Sequence, residues 1–160
     1  MRMLNHPNTV KLLERLILRR LCLYQWSTSA GETCSPTWRQ NTEAEARGPF
    51  RQLVSALQHC HQRGMVLRDL KLGNLLLNAN NNVKISHFVL NNQWPPGKKL
   101  DAFCGSPAFM APELLLGMPY TGPEADACSL GGVLYTMVSR SLPFGGQDFW
   151  EFQQRVLRGQ

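Results

Sequence analysis

The sequence predicts an α+β fold that is mostly α-helical and forms a single domain. Residues 129–138 are apolar on nearly every side, which indicates a buried helix. Extended runs are short, with one or two strands in residues 10–26 and a run at each of 75–77 and 83–85. A further helix is predicted by apolar residues that recur at the spacing of one helix face, namely Phe50, Leu53, Val54, Leu57 and Cys60.

The start of this further helix has two candidate positions. Thr42 and Glu45 have the spacing of a capping box. However, Gly48 and Pro49 would interrupt a helix that began there, because proline lacks the N–H that the helix interior requires. The first helical position tolerates proline. We therefore expect the helix to begin at Pro49 and the Thr42 tetrad to form a separate turn.

The remaining segments are assigned from turn signals and capping residues. The polar run NANNN between residues 75–77 and 83–85 predicts a hairpin, and residues 27–41 are expected to form a loop or a damaged short helix. Residues 91–112 form a long irregular stretch, and loops of this length in a compact domain are usually functional. A last helix is expected after Asp148, with one side formed by Phe149, Phe152, Val156 and Leu157.

Length, charge and hydropathy exclude several classes of function. The chain has 160 residues, of which 43% are hydrophobic, and its net charge is +6. No Lys/Arg run is interleaved with aromatic residues, so we expect no nucleic-acid binding. No segment reaches the ~18 uninterrupted apolar residues of a membrane helix, and the N-terminal sequence MRMLNHPNTV lacks the apolar run of a secretory signal. We therefore expect a cytoplasmic protein with no membrane partner.

The five cysteines, at positions 22, 34, 60, 104 and 128, are scattered along the chain and form no C-x-x-C pair. This pattern predicts free thiols in a reducing compartment. Cys60 and His61 are adjacent, but metal ligation would need two further ligands at suitable spacing, so the helix core is the favoured position for both.

Residues 66–74, VLRDLKLGN, contain the pattern R-D-x-K-x-x-N, whose spacings suit phosphoryl transfer. This loop follows FRQLVSALQHCHQRGM, and the motifs LDAFCGSPAFMAPE and GPEADACSLGG come later in the chain. In this order, the motifs resemble those of a eukaryotic serine/threonine protein kinase, with the nearest likeness to the microtubule-affinity-regulating and AMP-activated kinase-related group. The resemblance implies a partial kinase fold, in which residues 1–41 are a remnant of the small lobe and hinge and residues 42–160 are a truncated large lobe.

The resemblance also implies roles for three residues of the loop. Asp69 matches the aspartate that accepts the proton of the substrate hydroxyl, and Lys71 matches the lysine that meets the transferred phosphate. Asn74 matches the asparagine that binds one Mg²⁺. We interpret these three residues as vestigial because of the departures described next.

The largest departure lies after the second hairpin strand. The family's metal-binding triplet Asp-Phe-Gly reads His87-Phe88-Val89 here. Mg²⁺ prefers carboxylate and phosphate oxygens, and imidazole is a poor replacement. The Gly-rich loop, the strand lysine and the helix glutamate of the family have no counterpart in the sequence, so we expect the nucleotide cradle to be missing.

Smaller departures concern the remaining motifs. Leu67 stands in place of the histidine of the catalytic loop, and Ala102 replaces the activation-loop threonine whose phosphate would pair with Arg68. Ser106 remains and is a candidate phosphorylation site, the alternative being an ordinary turn serine. Cys128 replaces a bulky tryptophan, and the resulting void would cost about 3 kcal/mol unless neighbouring side chains collapse into it.

Three interpretations of function remain open. The first is a catalytically inactive, kinase-like protein (a pseudokinase) that acts by binding a protein partner through apolar residues such as Phe149, Trp150 and Phe152. The second is a serine/threonine kinase with residual activity that uses Asp69 and Lys71, and only this interpretation requires ATP and Mg²⁺ as cofactors. The third is a fragment of a larger kinase without a function of its own. Mg²⁺-dependent ATP binding separates the first two, and cooperative unfolding separates the first from the third.

Overall fold

The protein is represented by a computed structural model that describes residues 6–9, 12–18, 21–26, 42–77, 80, 82–86, 94–95 and 97–159. Its helices and strands, in chain order, are β1 (Leu12–Leu18), β2 (Leu21–Trp26), α1 (Glu43–Gln62), β3 (Leu75–Leu77), β4 (Val83–Ile85), α2 (Pro112–Leu115), α3 (Gly122–Ser139) and α4 (Phe149–Arg158). Short 3₁₀ turns lie at Leu72–Asn74 and Pro107–Phe109. The described part is therefore mostly helical, with two small two-stranded sheets.

The first sheet is the antiparallel hairpin of β1 and β2, with Leu16 opposite Leu23 and an irregularity between Leu12 and Glu14. The prediction of strands within residues 10–26 is confirmed. The predicted loop at 27–41 lies outside the described residues.

Helix α1 begins earlier than the sequence predicted. Thr42 is its N-cap, and its hydroxyl accepts a hydrogen bond from the N–H of Glu45, while the Glu45 carboxylate accepts one from the N–H of Thr42. Pro49 lies inside the helix, so the predicted start at Pro49 is wrong. The capping box contributes roughly 1 kcal/mol, and the added first turns bury Ala46 at 1% exposure. We infer that these gains offset the hydrogen bond that Pro49 removes.

The buried face of α1 also differs in part from the predicted one. Leu53, Leu57 and Cys60 lie in the core as predicted, but Val54 is 39% exposed. The small residues Ala46 and Ala56 take the remaining buried positions. The buried face of α1 is therefore rotated away from Val54 and toward the alanines. A search for periodicity among large apolar residues does not detect this shift.

The second sheet is the antiparallel hairpin of β3 and β4, as predicted, with Leu76 opposite Lys84. The side-chain amide of Asn8 donates to the carbonyl of Val83 at 2.7 Å and to Oε1 of Gln52 at 2.8 Å. Gln52 Oε1 also accepts the N–H of Val83 at 2.8 Å. These bonds attach the hairpin to α1.

Helix α3 starts at Gly122, seven residues before the predicted apolar segment. It contributes to two hydrophobic clusters: Val133 and Met137 pack with α1 and the β3–β4 hairpin, and Ala125 packs with α2 and α4. The prediction of a buried helix is confirmed for this face, although Tyr135 is 45% exposed and Val138 is 38% exposed.

Helix α4 begins after Asp148, whose carboxylate accepts the N–H of Glu151 at 2.8 Å, as predicted. Phe152 and Val156 are buried against α2. The prediction that Phe152 is one of the apolar residues that bind a partner is therefore wrong, because α4 turns this side chain toward Leu114 and Leu115, which belong to the same cluster.

No helix among the described residues combines the length and the apolar character needed to cross a membrane.

Candidate functional site: the 66–74 loop and the segment that faces it

The 66–74 loop connects α1 to β3. Helix α1 ends at Gln62, and the loop closes with the 3₁₀ turn Leu72–Asn74, which leads directly into β3. Arg68 has φ of 63°, in the left-handed region that non-glycine residues rarely adopt. This backbone conformation is maintained by contacts of the loop with the rest of the fold.

Asp69, Lys71 and Ser106 form a closed triangle of hydrogen bonds. Lys71 Nζ lies 3.1 Å from Oδ2 of Asp69 and donates to Oγ of Ser106 at 2.7 Å. Ser106 Oγ in turn donates to Oδ1 of Asp69 at 2.8 Å. The sequence placed Asp69 and Lys71 in one loop, and the structure adds Ser106 as the hydroxyl that touches both.

Asn74 joins the same group from the end of the loop. Its amide nitrogen donates to the backbone carbonyl of Asp69 at 2.7 Å and lies 3.3 Å from Oδ2 of Asp69. Asn74 is 8% exposed, so these contacts are shielded from water. The three residues singled out in the sequence therefore lie together.

The pKa of the Asp69 carboxyl reflects two opposing effects. Partial burial raises the pKa because it disfavours the charged form. Hydrogen bonds from Ser106 and Lys71, the charge of Lys71 and the amide of Asn74 lower it, and the net result is a lowered pKa. The site therefore keeps Asp69 negatively charged and able to accept hydrogen bonds, and the lowered pKa makes this carboxylate a weaker base.

A buried carboxylate on α3 binds the backbone of the 66–74 loop. Asp126 is fully buried, and its two oxygens accept the backbone N–H groups of Leu67 and Arg68, each at 2.8 Å. His61 Nε2 lies 2.8 Å from Oδ2 of Asp126. A carboxylate that receives several hydrogen bonds offsets the cost of its burial, and these bonds fix the loop conformation around Arg68.

The residues next to His61 and Arg68 are also constrained. Burial, with a smaller contribution from the Asp126 charge, raises the pKa of the Cys60 thiol to about 12, so Cys60 is an inert core residue, as expected. Leu67 is 6% exposed and packs in the cluster around α1. Where a histidine would make polar contacts, this side chain contributes apolar packing instead.

The 100–106 segment lies against the loop and is anchored by Tyr120. The backbones of Leu100 and Tyr120 exchange hydrogen bonds of 2.8 and 2.9 Å. The hydroxyl of Tyr120 donates to the carbonyl of Ala102 at 3.0 Å. Burial, followed by the contact with Cys104, raises the pKa of Tyr120 to about 12, so this hydroxyl retains its proton. The backbone at Ala102 is therefore held by a neutral hydrogen bond.

Gly105 marks the closest approach between this segment and the loop. It has φ of 115°, and a Cβ built at this position would lie 2.5 Å from the carbonyl oxygen of Arg68. Both the backbone conformation and the space require glycine. The neighbouring Ser106 reaches Asp69 because the 100–106 segment and the 66–74 loop come this close.

The metal-binding part of the site is described only in part. Asn74 and Asp69 carry the amide and carboxylate oxygens that Mg²⁺ prefers, whereas His87, Phe88 and Val89 lie outside the described residues. Within the described stretches, no three His, Cys, Asp or Glu side chains form a group that could hold a metal ion. Mg²⁺ binding by Asn74 therefore stays a prediction.

The sequence did not mark Asp126 or Tyr120 as site residues, and it named His61 only as a possible metal ligand. Asp126 was detectable in principle, because it is an acidic residue at a buried position of an otherwise largely apolar helix, and such residues need partners. No comparable local signal marks Tyr120, whose role depends on a contact with a residue 18 positions away.

A family model described as "Protein kinase domain" matches residues 1–159, and the chain therefore belongs to the protein kinase family. The human protein "NUAK family SNF1-like kinase 2" is 50% identical over 121 residues, which cover 76% of this chain and 19% of that protein. "Probable serine/threonine-protein kinase MARK-A" of Dictyostelium discoideum is 41% identical over 162 residues, which cover 99% of this chain and 15% of that protein. The chain spans less than a fifth of the length of these curated relatives. The resemblance inferred from the motifs is confirmed.

Proposed function

We propose that this member of the serine/threonine kinase family does not transfer phosphate and acts by binding another protein. The observation that carries this proposal is the sequence His87-Phe88-Val89 where the family has its metal-binding triplet. Mg²⁺ bridges the phosphates of the nucleotide and neutralises their charge during transfer. An imidazole in place of the carboxylate removes a principal oxygen ligand of that ion.

The position of β4 supports this proposal. The residue after β4, Ser86, donates its N–H to the carbonyl of Asn74 at 2.8 Å and its hydroxyl to the same oxygen at 2.9 Å. Ser86, the last described residue before position 87, therefore lies against the backbone of the asparagine that would share the metal. A carboxylate is needed at this junction, and the sequence provides a histidine.

The anchoring of the 100–106 segment also supports the proposal. Ala102 has no hydroxyl that could be phosphorylated, so this position cannot act as a phosphorylation switch. The hydroxyl of Tyr120 donates to the backbone carbonyl of Ala102 at 3.0 Å, a bond that does not involve the side chain at position 102. The conformation of the 100–106 segment therefore does not need to be switched by phosphorylation, which suits a surface that binds a partner permanently.

The protein-binding part of the proposal rests on exposed apolar side chains. Trp150 is 68% exposed and Phe149 is 50% exposed at the start of α4. Leu116 and Met118, after α2, are 51% and 53% exposed. Helices α2 and α4 are joined by a 2.6 Å hydrogen bond from Gln153 to the carbonyl of Leu115. Exposed apolar side chains on or next to two helices that contact each other are candidates for a protein interaction site.

In this proposal, residues 1–41 correspond to a remnant of the small lobe and hinge, and residues 42–160 correspond to an incomplete large lobe. The partner would be a protein, with no nucleic acid or membrane involved.

The test is calorimetric titration of ATP with and without Mg²⁺, with circular dichroism used to confirm that each variant is folded. We expect no Mg²⁺-dependent binding by the wild-type chain. His87→Asp introduces the carboxylate that the family has at this position and is expected to strengthen Mg²⁺-dependent binding relative to the wild type. Saturable Mg²⁺-dependent binding by the wild type that Asn74→Ala removes would contradict the proposal. Phosphate incorporation into a peptide that Asp69→Asn abolishes would also contradict it.

A second candidate function is residual phosphate transfer to serine or threonine, with ATP and Mg²⁺ as cofactors. The triangle of Asp69, Lys71 and Ser106 favours it, because the carboxylate and the ammonium group already hold a hydroxyl between them at 2.8 and 2.7 Å. The same titration and peptide assay decide between the two functions.

Ser106 is also proposed as a regulatory phosphorylation site. A phosphate on its Oγ would place a dianion against the Asp69 carboxylate and beside Lys71. We expect this modification to break the bond between Ser106 and Asp69, and mass spectrometry of the protein isolated from cells would detect it.

A further inference from the structure

Two histidines that are far apart in the sequence are in contact in the structure. His6 lies in the described 6–9 segment, and His59 lies in the last turn of α1. Their ring centroids are 4.9 Å apart, with an angle of 47° between the ring planes. Both residues are partly buried. This histidine pair belongs neither to the 66–74 loop nor to the 100–106 segment, so it is separate from the candidate functional site.

The hydrogen bonds of the histidine pair determine which ring nitrogen carries the proton. Nδ1 of His6 lies 3.1 Å from the backbone nitrogen of Asn8. Nδ1 of His59 lies 3.0 Å from a guanidinium nitrogen of Arg63. A backbone N–H and a guanidinium can only donate, so both Nδ1 atoms accept, and the proton of each neutral ring is on Nε2. Nε2 of His6 is therefore placed to donate to Oγ of Ser55 at 3.2 Å.

A second proton on either ring would break these hydrogen bonds. A protonated imidazole donates from both nitrogens, so its Nδ1–H would point at the N–H of Asn8 or at the guanidinium of Arg63. Nε2 of His59 is buried and has no hydrogen-bond partner among the described residues. A positive charge on this ring would therefore be poorly solvated. The geometry of the histidine pair thus favours the neutral form of both rings.

The charges near the histidine pair act in the same direction. Burial, followed by the charge of Arg63, lowers the pKa of His6 below its ordinary value of 6.5. Burial, then the charge of Arg63 and then that of His6 lower the pKa of His59. Among the described residues, no carboxylate contributes to the pKa of either ring. Both histidines are therefore neutral at neutral pH, and each becomes harder to protonate when its neighbours are charged.

The positions of the ring protons disfavour a metal ion between the two rings. Nε2 could bind a metal only if the ring proton moved to Nδ1, where Asn8 and Arg63 already donate. The described residues also contain no group of three His, Cys, Asp or Glu side chains that could complete such a site. A response to protons is therefore favoured over a response to a metal.

The 6–9 segment connects α1 to strand β4. Asn8 and Thr9 are buried. The carbonyl of Asn8 accepts the N–H of Ile85 at 2.9 Å, and Thr9 forms a parallel β-bridge with Ile85. A change at His6 therefore acts on a segment that also pairs with the β3–β4 hairpin.

We propose that the histidine pair is a pH-sensitive contact that holds the 6–9 segment on α1 at neutral pH and releases it in mildly acidic conditions. Protonation removes the hydrogen bonds at both Nδ1 atoms and places like charges beside Arg63. The His6 end of the segment then detaches, and the pairing of the segment with β4 weakens. The proposal is independent of nucleotide binding, because neither histidine is part of the group formed by Asp69, Lys71 and Asn74.

Hydrogen exchange of the full chain, followed by NMR, tests the release. The reporters are the amide of Asn8, which donates to His6, and the amide of Ile85, which donates to Asn8. The released state binds protons more tightly than the closed state. Its relative population therefore rises as the pH falls below 6.5, by up to about tenfold per pH unit for each ring.

The protection factors of both reporter amides, corrected for the intrinsic exchange rate, should fall between about pH 7.5 and about pH 5.5. The amides in the centre of α3 should keep their protection over the same range. Reporter protection that does not depend on pH would overturn the proposal. An equal loss of protection in α3 would mean that the whole chain unfolds and would also overturn it.

Two substitutions on α1 and at its end provide a matched comparison. Arg63→Met removes the cation near both rings, so the titration of both histidines, followed by their Cε1–H signals, should move to higher pH. Ser55→Ala removes a hydroxyl that can accept the Nε2 proton of His6 in both charge states. It should therefore leave the titration nearly unchanged. Equal shifts in the two variants would overturn the proposal.

The double substitution His6→Phe/His59→Phe keeps two rings in contact and removes both titrating groups. The protection of the Ile85 amide should then be independent of pH over the same range, and a pH dependence equal to that of the wild type would contradict the proposal. The titration curves of the wild type do not depend on the folding of any variant. A pKa at or above 6.5 for either histidine would overturn the proposal by itself.

Discussion

Asp126 fixes the 66–74 loop more directly than any residue within the loop. Its carboxylate is fully buried and accepts two backbone N–H groups at 2.8 Å. The loop lies about sixty positions earlier in the chain, so its conformation depends on a contact that forms only when α1 and α3 have packed.

We expect Asp126→Ala to lower the free energy of unfolding by about 3 kcal/mol, because it removes the acceptor for hydrogen bonds of Leu67 and Arg68 in a buried setting. Asp148→Ala is the control, since Asp148 also accepts a backbone N–H but is exposed at the start of α4. Its expected loss is about 1 kcal/mol. Urea unfolding measures both, and equal losses would contradict the role assigned to Asp126.

The lowered pKa of Asp69 predicts a dependence of stability on pH. Because the folded-state pKa lies below the unfolded one, the stabilisation is fully present above the usual carboxyl range and is lost as the pH falls through the folded-state value. Asp69→Asn cannot titrate. The difference in unfolding free energy between wild type and Asp69→Asn should therefore change in this acidic window and stay constant above it.

Ser106→Ala provides the companion measurement. It removes a hydrogen bond that lowers the Asp69 pKa, so the folded-state pKa should move closer to the unfolded one. The acidic loss of stability should then be smaller than in the wild type and should end at a higher pH. A pH profile identical to that of the wild type would show that the Ser106 hydroxyl does not stabilise the carboxylate.

At the residue scale, the sequence predicted the loop but not its surroundings. Asp69, Lys71 and Asn74 are close in the chain, and their spacing alone brings them together. Asp126 and Tyr120 reach the site through tertiary contacts, which a local pattern cannot register. The contact of Ser106 with Asp69 spans 37 positions and depends on the close approach at Gly105.

At the scale of elements, the start of α1 shows how two local rules compete. The proline rule placed the start at Pro49, and the capping rule placed it at Thr42. The capping rule prevailed because the earlier turns bury Ala46 in the core. The burial of Ala46 cannot be predicted from the sequence unless its packing partners are known.

Helix α3 offers a direct test of packing with one substitution at two of its glycines. Gly122→Ala would place a Cβ in a clash with Cγ1 of Val66, and we expect a loss of about 1–3 kcal/mol in the free energy of unfolding. Gly131→Ala meets no atom within 4 Å and should stabilise the helix by about 0.5–1 kcal/mol. Chemical denaturation measures both, and effects of the same sign would contradict the packing described for α3.

At the scale of the whole molecule, α3 connects the two hydrophobic clusters. Val133 and Met137 belong to the first cluster, and Ala125 belongs to the second. Ser129 adds a hydrogen bond of 2.7 Å to the carbonyl of Phe109. One helix that contributes to both clusters favours their unfolding together.

We therefore expect a single cooperative transition in urea, with the same midpoint by far-ultraviolet circular dichroism and by tryptophan fluorescence. Trp94 and Trp150 report on distant parts of the described chain. Midpoints that differ between the two probes would favour the third interpretation, in which the chain is a fragment without a settled function.

The requirement for glycine at position 105 affects how the kinase motifs are understood. A methyl group there would collide with the Arg68 carbonyl whether or not the protein ever handles a nucleotide. A protein without kinase activity would still need glycine at this position of the motif in order to fold. A residue that matches the family motif in such a segment can therefore be explained by folding alone. Only motif residues that the fold does not require are evidence of catalytic activity.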